Sequence, residues 1–137
     1  MSDDTIKSAF ALIENEGKIV LIQEGSGLGY GLWCLPGGHM DKDENPAQAA
    51  FRETVEETGG LTIEIGDEIL AKTITNEEYT GRPEETGRMI ELRIFKARPI
   101  SGKIDPARLT EELDVKWFTK DEAKKLPLRW PWLKDLF

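Results

Sequence analysis

The chain has 137 residues, of which 39% are hydrophobic and 32% charged. That fits one compact domain over residues 1–137 and excludes both a membrane bundle and a low-complexity disordered chain. Lys and Arg number 18 against 26 Asp and Glu, a net charge of −8 with no basic block, so duplex nucleic acid is not expected as a partner. No apolar run approaches the roughly 18 residues of a membrane span, so no membrane partner is expected either. The one cysteine, Cys34, rules out an internal disulfide framework and a Cys-rich zinc site. Residues 1–4 are acidic and show no secretory signal, and a reducing cytoplasm is the expected compartment.

In chain order, residues 8–13 and 18–23 are rich in β-branched and aliphatic side chains and flank Asn15-Glu16-Gly17, the pattern of a β-hairpin. Residues 25–31 carry glycine at every second position and read as a mobile loop. The run is neither a dinucleotide fingerprint, whose third glycine would fall on Tyr30 or Leu32, nor a P-loop, which needs Gly-Lys-Ser/Thr. Residues 32–35 form a short apolar strand, stopped by Pro36-Gly37-Gly38. A helix follows, with Asn45 as N-cap, Pro46 in the first position, Gln48 as capping-box partner and Gly59-Gly60 as the stop. Strands are expected at 61–65, 68–75, 89–97 and 113–118, with a polar loop at 76–87. Thr119-x-x-Glu122 opens a short helix ending near Pro127. The tail holds Trp130, Trp132, Leu133, Leu136 and Phe137, expected as a terminal helix or lid on the core, with a homodimer contact as the alternative. Strands outnumber helices, which indicates an α+β or mixed-sheet layered domain.

At 100° per residue, Glu53, Glu56 and Glu57 fall within about 100° of arc on the central helix. Ala47, Phe51, Thr54, Val55 and Thr58 form the opposite, buried face. Like charges three and four residues apart repel, and these lie near the helix C-terminus, where the dipole is already negative. Arg52 is the only cation in the helix. Either the patch is a solvated acidic face, or it holds a hard cation such as Mg²⁺ or Mn²⁺, which prefers oxygen ligands. The flanks favour the second reading. Gly37 and Gly38 allow backbone N–H groups to approach a phosphate oxygen, and Glu44 stands just before the helix N-terminus.

The residues Gly38-x5-Glu44-x7-Arg52-Glu53-Thr54-Val55-Glu56-Glu57-Thr58-Gly59-Gly60 resemble the Nudix box, G-x5-E-x7-R-E-U-x-E-E-x-G-U with U aliphatic. Every fixed polar and glycine position matches; Thr54 and Gly60 replace aliphatic residues. The resemblance extends to strands before the box and to Glu111-Glu112-Leu113-Asp114-Val115-Lys116-Trp117-Phe118 after it. It implies an α/β/α sandwich around a mixed β-sheet, and metal-dependent hydrolysis, with Mg²⁺ or Mn²⁺, of a nucleoside diphosphate linked to another group. It further implies Glu53, Glu56 and Glu57 as metal ligands, with Glu53 also orienting or deprotonating the attacking water. Arg52 would hold a box carboxylate, Gly37 and Gly38 would shape a phosphate loop, and Glu44 would be a further metal ligand or a partner of the ligands.

The base in this family often lies outside the box. Glu112 or Glu111, before the Trp117 strand, is the candidate by position, and Glu91 on the 89–95 strand is the rival. A small-molecule nucleotide is the implied substrate. A nucleoside triphosphate, oxidised ones included, cleaved to the monophosphate and pyrophosphate leads. Nucleoside-diphosphate sugars, dinucleoside polyphosphates (weakly suggested by Tyr79) and a non-catalytic nucleotide-binding module are the alternatives. Tyr30 and Trp33 are candidates to stack on a base, although an aromatic near a strand is more often core. Cys34 and His39 lack a third partner for thiol catalysis. Cys34 reads as buried and inert, and His39 as either a substrate contact or a structural loop residue.

Overall fold

The computed structural model describes residues 5–27, 29–75 and 88–137. The acidic start at 1–4, Leu28, the 76–87 loop and its Tyr79 lie outside them. Seven strands form one mixed sheet: β1 (Ile6–Asn15), β2 (Lys18–Gln23), β3 (Trp33–Cys34), β4 (Gly37–His39), β5 (Thr62–Thr75), β6 (Met89–Ser101) and β7 (Asp114–Thr119), with helices α1 (Pro46–Thr58) and α2 (Lys120–Lys124). β1 and β6 run parallel, Ile6 to Ile13 against Ile90 to Ala97, and the other pairings are antiparallel. Among the described residues no helix is long and apolar enough to cross a membrane.

The hairpin forms as expected. Glu16 and Gly17 both have positive φ, 52° and 78°, which gives the turn the twist its flanking strands need. β1 and β2 then part company. β1 pairs with β2 only at Glu14 and Asn15 and presents Ser8–Phe10 to β4, while β2 passes on to β3 at Ile22 and Gln23. This splitting opens a wedge in the sheet, and the main cleft lies in it.

Three expectations are corrected. Pro36-Gly37-Gly38 does not end strand structure, because β4 begins at Gly37. Proline removes only its own N–H, and its carbonyl still accepts from Ala11 N at 2.9 Å. A Cβ on Gly37 would lie 2.3 Å from the Phe10 ring and 2.4 Å from the Ala9 carbonyl, so glycine is what lets β4 approach β1. The strands expected at 61–65 and 68–75 are one strand, β5. Its register shifts around Glu68, and a bulge absorbs Gly66-Asp67, which the sequence presents as a break. On α1, Phe51 is 38% exposed and Ala49 and Ala50 are fully buried. Small side chains pack closest to the sheet, and Phe51 turns outward.

The capping boxes at Asn45/Gln48 and Thr119/Glu122 are both closed, and Gly59 ends α1 with a left-handed φ of 80°. α1 packs on β1, β4 and β5; α2 packs on β2 and β7. The tail closes the other side. Trp33 N donates to Pro127 O and Arg129 N to Trp33 O. A short 3₁₀ segment, Pro131–Leu136, follows with Leu133 buried. Trp130 meets Phe10 edge to face at 5.5 Å and stacks on Trp132 at 5.4 Å.

Thr54 occupies a position where the Nudix pattern has an aliphatic residue. It is fully buried, and its hydroxyl has no hydrogen-bond partner among the described residues. Thr54→Val keeps the shape and removes a desolvated polar group. We expect it to raise stability by about 1 kcal/mol, read as a higher urea midpoint at unchanged m-value.

Candidate active site

The cleft, about 230 Å³, is bounded by α1 on one side, by Gly25, Ser26, Gly29 and Arg129 on the other, and floored by Phe10, Cys34 and Gly37. Its charge is one-sided. Glu24, Glu53, Glu57, Glu111 and Glu112 line it, and Arg129 is the only lysine or arginine among the described lining residues. A smaller adjoining space lies between Glu53, Glu56, Glu57 and the Thr110–Glu112 segment.

Of the three helix carboxylates, only Glu56 lies on an exposed surface, with its side chain 59% accessible, against 18% for Glu53. Glu53 and Glu57 turn into the cleft, a correction to the expected open patch. Glu57 Oε1 accepts from Gly37 N at 2.6 Å, so the Gly37 N–H expected at a phosphate is committed to a carboxylate. A Cβ on Gly38 would lie 2.8 Å from the Glu53 carboxyl carbon. The two glycines thus make room for β1 and for Glu53.

Arg52 is the hub. Its Nε and Nη2 donate to Glu44 at 2.7 and 2.9 Å, Nη1 to Glu53 at 3.0 Å, and Nη2 to the His39 carbonyl at 3.1 Å. Glu56 lies 3.5 Å from Nη1. The guanidinium holds the Glu44 carboxyl below its usual range, and in return its own pKa rises. Glu44 also accepts from Asp41 N at 2.8 Å. Of its two expected roles, this geometry matches the partner that anchors Arg52.

Both Glu111 and Glu112 line the cleft. Leu113 N donates to Gln23 O at 2.9 Å, which ties this segment to β2. Glu112 is half-buried and Glu111 exposed. Glu91 is placed elsewhere, on β6 beside Arg93, 3.4 Å away, which also pairs with Glu68. Trp33 is core and packs edge to face on Phe118; Tyr30 is exposed. Cys34 is buried, and burial, with Glu24 and Glu57 adding, pushes its thiol well above the ordinary range. His39 borders the cleft. Sequence reasoning missed Glu24, Arg129 and Ser26. Glu24 and Ser26 are neighbours in the chain but lie far from Arg129, and only the folding of loop and tail onto β3 brings them together.

Burial is the main cause raising the carboxyl pKa values of Glu24, Glu53, Glu57 and Glu112, the last to about 7. For Glu57 the neighbours Glu53, Glu112 and Glu24 add to the rise, against the Gly37 hydrogen bond. Among the described residues no three such groups form a closed chelate; the carboxylates border a space. Crowded, desolvated oxygen donors of one sign are the donor set that a hard divalent cation needs, so these residues fit Mg²⁺ or Mn²⁺.

Raised folded-state pKa values mean that the native state binds more protons than the unfolded chain, for Glu112 between about pH 4.5 and pH 7, with Glu24, Glu53 and Glu57 shifted in the same direction. Stability from these groups is therefore full below that window and lost as pH rises through it. The metal-free protein is expected to melt higher near pH 6 than near pH 8. Mn²⁺ should raise the melting temperature more at pH 8, where the carboxylates are ionised. Differential scanning calorimetry at the two pH values checks both signs.

The family model described as NUDIX domain matches residues 5–137. A MutT-like protein of Streptomyces ambofaciens is 29% identical over 121 residues, covering 88% of this chain and 68% of that protein. An oxidized purine nucleoside triphosphate hydrolase of Danio rerio is 30% identical over 125 residues, covering 91% of this chain and 71% of the relative. A solved NUDIX hydrolase from Nitrosomonas europaea superposes with a TM-score of 0.78 at 24% identity, covering 96% of this chain and 84% of that one, which supports the α+β sandwich fold.

Proposed function

This chain belongs to the NUDIX family, and from that premise we propose that it is a metal-dependent hydrolase of a pyrophosphate bond in a nucleoside diphosphate derivative. The substrate is read as a nucleoside triphosphate, oxidised ones included, cleaved to the monophosphate and pyrophosphate. The observation that carries this is the convergence of Glu53 and Glu57 from α1 with Glu112 from the far loop on one cleft, with Arg52 bonded to Glu53. The Danio rerio relative, by its name a triphosphate hydrolase, supports the finer choice of substrate.

Glu53, Glu56 and Glu57 would hold Mg²⁺ or Mn²⁺, which when bound neutralises phosphate oxygens and acidifies water. Arg52 fixes the orientation of Glu53 through one N–H and keeps Glu56 near through charge. Glu112 is the base in this reading. It takes the proton of the attacking water as the new P–O bond forms and the bridging P–O bond breaks, releasing pyrophosphate. In the metal-free cleft, burial and the neighbouring carboxylates raise the Glu112 pKa to about 7.

The test is a panel of nucleoside triphosphates, nucleoside-diphosphate sugars and dinucleoside polyphosphates with Mg²⁺ or Mn²⁺, with products resolved by chromatography. Pyrophosphate and monophosphate from the triphosphates are expected. Orthophosphate release, or turnover confined to the other two classes, overturns the triphosphate assignment, and no hydrolysis of any member overturns the enzyme.

A further inference from the structure

The glycines of the 25–31 run are of two kinds. Gly27 and Gly31 have left-handed φ values of 69° and 82°, and a Cβ on Gly31 would meet nothing within 4 Å, so Gly31 serves the turn. Gly25 lies outside the left-handed region, and its backbone is one that any residue adopts. What requires glycine there is space. A Cβ on Gly25 would lie 1.8 Å from Glu111 O, 2.9 Å from the Glu111 carbonyl carbon and 3.4 Å from Glu112 Cα. The obstructing atoms are backbone, so no side-chain rotation clears them.

The close approach is built by the strands on either side. β2 pairs with β7 in a register that sets Gln23 opposite Asp114, and Leu113 N donates to Gln23 O at 2.9 Å. Continued by two residues, the same register brings Gly25 against Glu112. The chain at Gly25 is held from behind, because Glu24 N donates to Leu32 O and Gly31 N to Glu24 O, both at 2.8 Å, and Gln23 Nε2 donates to Gly31 O at 3.1 Å. Facing it is the irregular segment 109–113 ahead of β7, where Glu111 is exposed. A side chain at position 25 would therefore displace this segment and leave β2 in place. Restoring ordinary contact from 1.8 Å takes a shift of more than about 1 Å. Glu112 is carried on the segment that moves, and it lines the cleft with Glu53 and Glu57.

We propose that Gly25 is a positioning residue for Glu112: the absence of a side chain lets the segment before β7 close on the end of β2, and this sets how far the Glu112 carboxyl stands from the carboxylates of α1. The proposal deepens the reading of Glu112 as the base and rests on it.

Gly25→Ala, Glu112→Gln and the double variant are compared with the unaltered chain under saturating Mn²⁺, using the nucleoside triphosphate that the panel shows to be turned over fastest. Gly25→Ala is expected to lower kcat by about 10–100-fold, the cost of a misplacement of about 1 Å, while KM changes by less than about twofold. Calorimetric Mn²⁺ affinity should stay, because the α1 carboxylates do not move. In the metal-free ¹⁵N-labelled protein the amide signals of 111–113 should shift and those of α1 should not. Adding Gly25→Ala to Glu112→Gln should cost less than about a further twofold, since a missing base cannot be misplaced. Gly31→Ala strains the same loop without a new contact, and it should lower the urea midpoint with kcat unchanged.

Unchanged kcat in Gly25→Ala, or a full further loss in the double variant, overturns the positioning role and leaves Glu112 as the base. Full activity in Glu112→Gln removes the base and the positioning role with it. A Gly25→Ala chain that fails to fold, read by tryptophan fluorescence across a urea titration, makes the glycine a requirement of the fold and also overturns the proposal.

Discussion

Glu57→Gln is expected to cut turnover by more than about 100-fold and, at the same time, to stabilise the metal-free protein. The activity loss follows from its position. Glu57 lies in the cleft against Glu53 and Glu112, and an amide cannot replace a carboxylate as a charged ligand of a hard cation. Loss of a group that merely orients a ligand costs about 10–100-fold, so loss of a ligand should exceed that. The stability gain follows from the same environment. Burial, with Glu53, Glu112 and Glu24 adding, raises the Glu57 pKa well above its usual range, which states that the ionised form is unfavourable in the fold. Glutamine removes that charge, and its amide oxygen can still accept from Gly37 N, now bonded at 2.6 Å. Single-turnover kinetics at saturating Mn²⁺ and a urea titration without metal read the two halves. A variant that is inactive and less stable would indicate that Glu57 holds α1 against β4. An active variant would remove Glu57 from the ligand set.

The box region was readable because its signals are local. The N-cap at Asn45, the capping-box Gln48 and the C-terminal Gly59 are set by backbone satisfaction within a few residues, and all three stand where the sequence puts them. The stripe of Glu53, Glu56 and Glu57 follows from helical period alone. What the stripe faces is not local. Sequence spacing makes it a surface, whereas β4, formed by glycines that read as a stop, closes over it and turns Glu53 and Glu57 inward. The buried face was misread at Phe51 for a related reason. Hydrophobic pattern ranks side chains by transfer free energy, but close helix-to-sheet packing selects Ala49 and Ala50 by size. Glu112 could be anticipated by position; Glu24 and Arg129 could not, since loop and tail are brought together by the long-range pairing at Trp33. The stability cost of the site is visible as well. Four carboxyls with raised pKa values border one cleft, and a departure such as Thr54 adds a buried hydroxyl with no partner among the described residues.

Arg52→Met should lower kcat by about 10–100-fold, the range for groups that hold metal ligands in place, with KM changed less. The reasoning is geometric. One guanidinium bonds Glu44 through two nitrogens, Glu53 through a third contact and the His39 carbonyl, so it fixes the outer rim of the cleft in a single rigid plane. Methionine keeps the length of the stem and loses all of these bonds, leaving Glu44, Glu53 and Glu56 to repel one another. Arg52→Lys should recover little, because a point charge with a flexible stem cannot reproduce a fork that binds both Glu44 oxygens and reaches Glu53. Glu44→Gln separates holding from ligation. If Glu44 acts only by anchoring Arg52, the variant should show a milder fall in kcat than Arg52→Met, and little further fall when the two changes are combined. If Glu44 also binds metal, the double variant should lose Mn²⁺ affinity beyond either single one. A calorimetric Mn²⁺ titration of all four proteins completes the cycle.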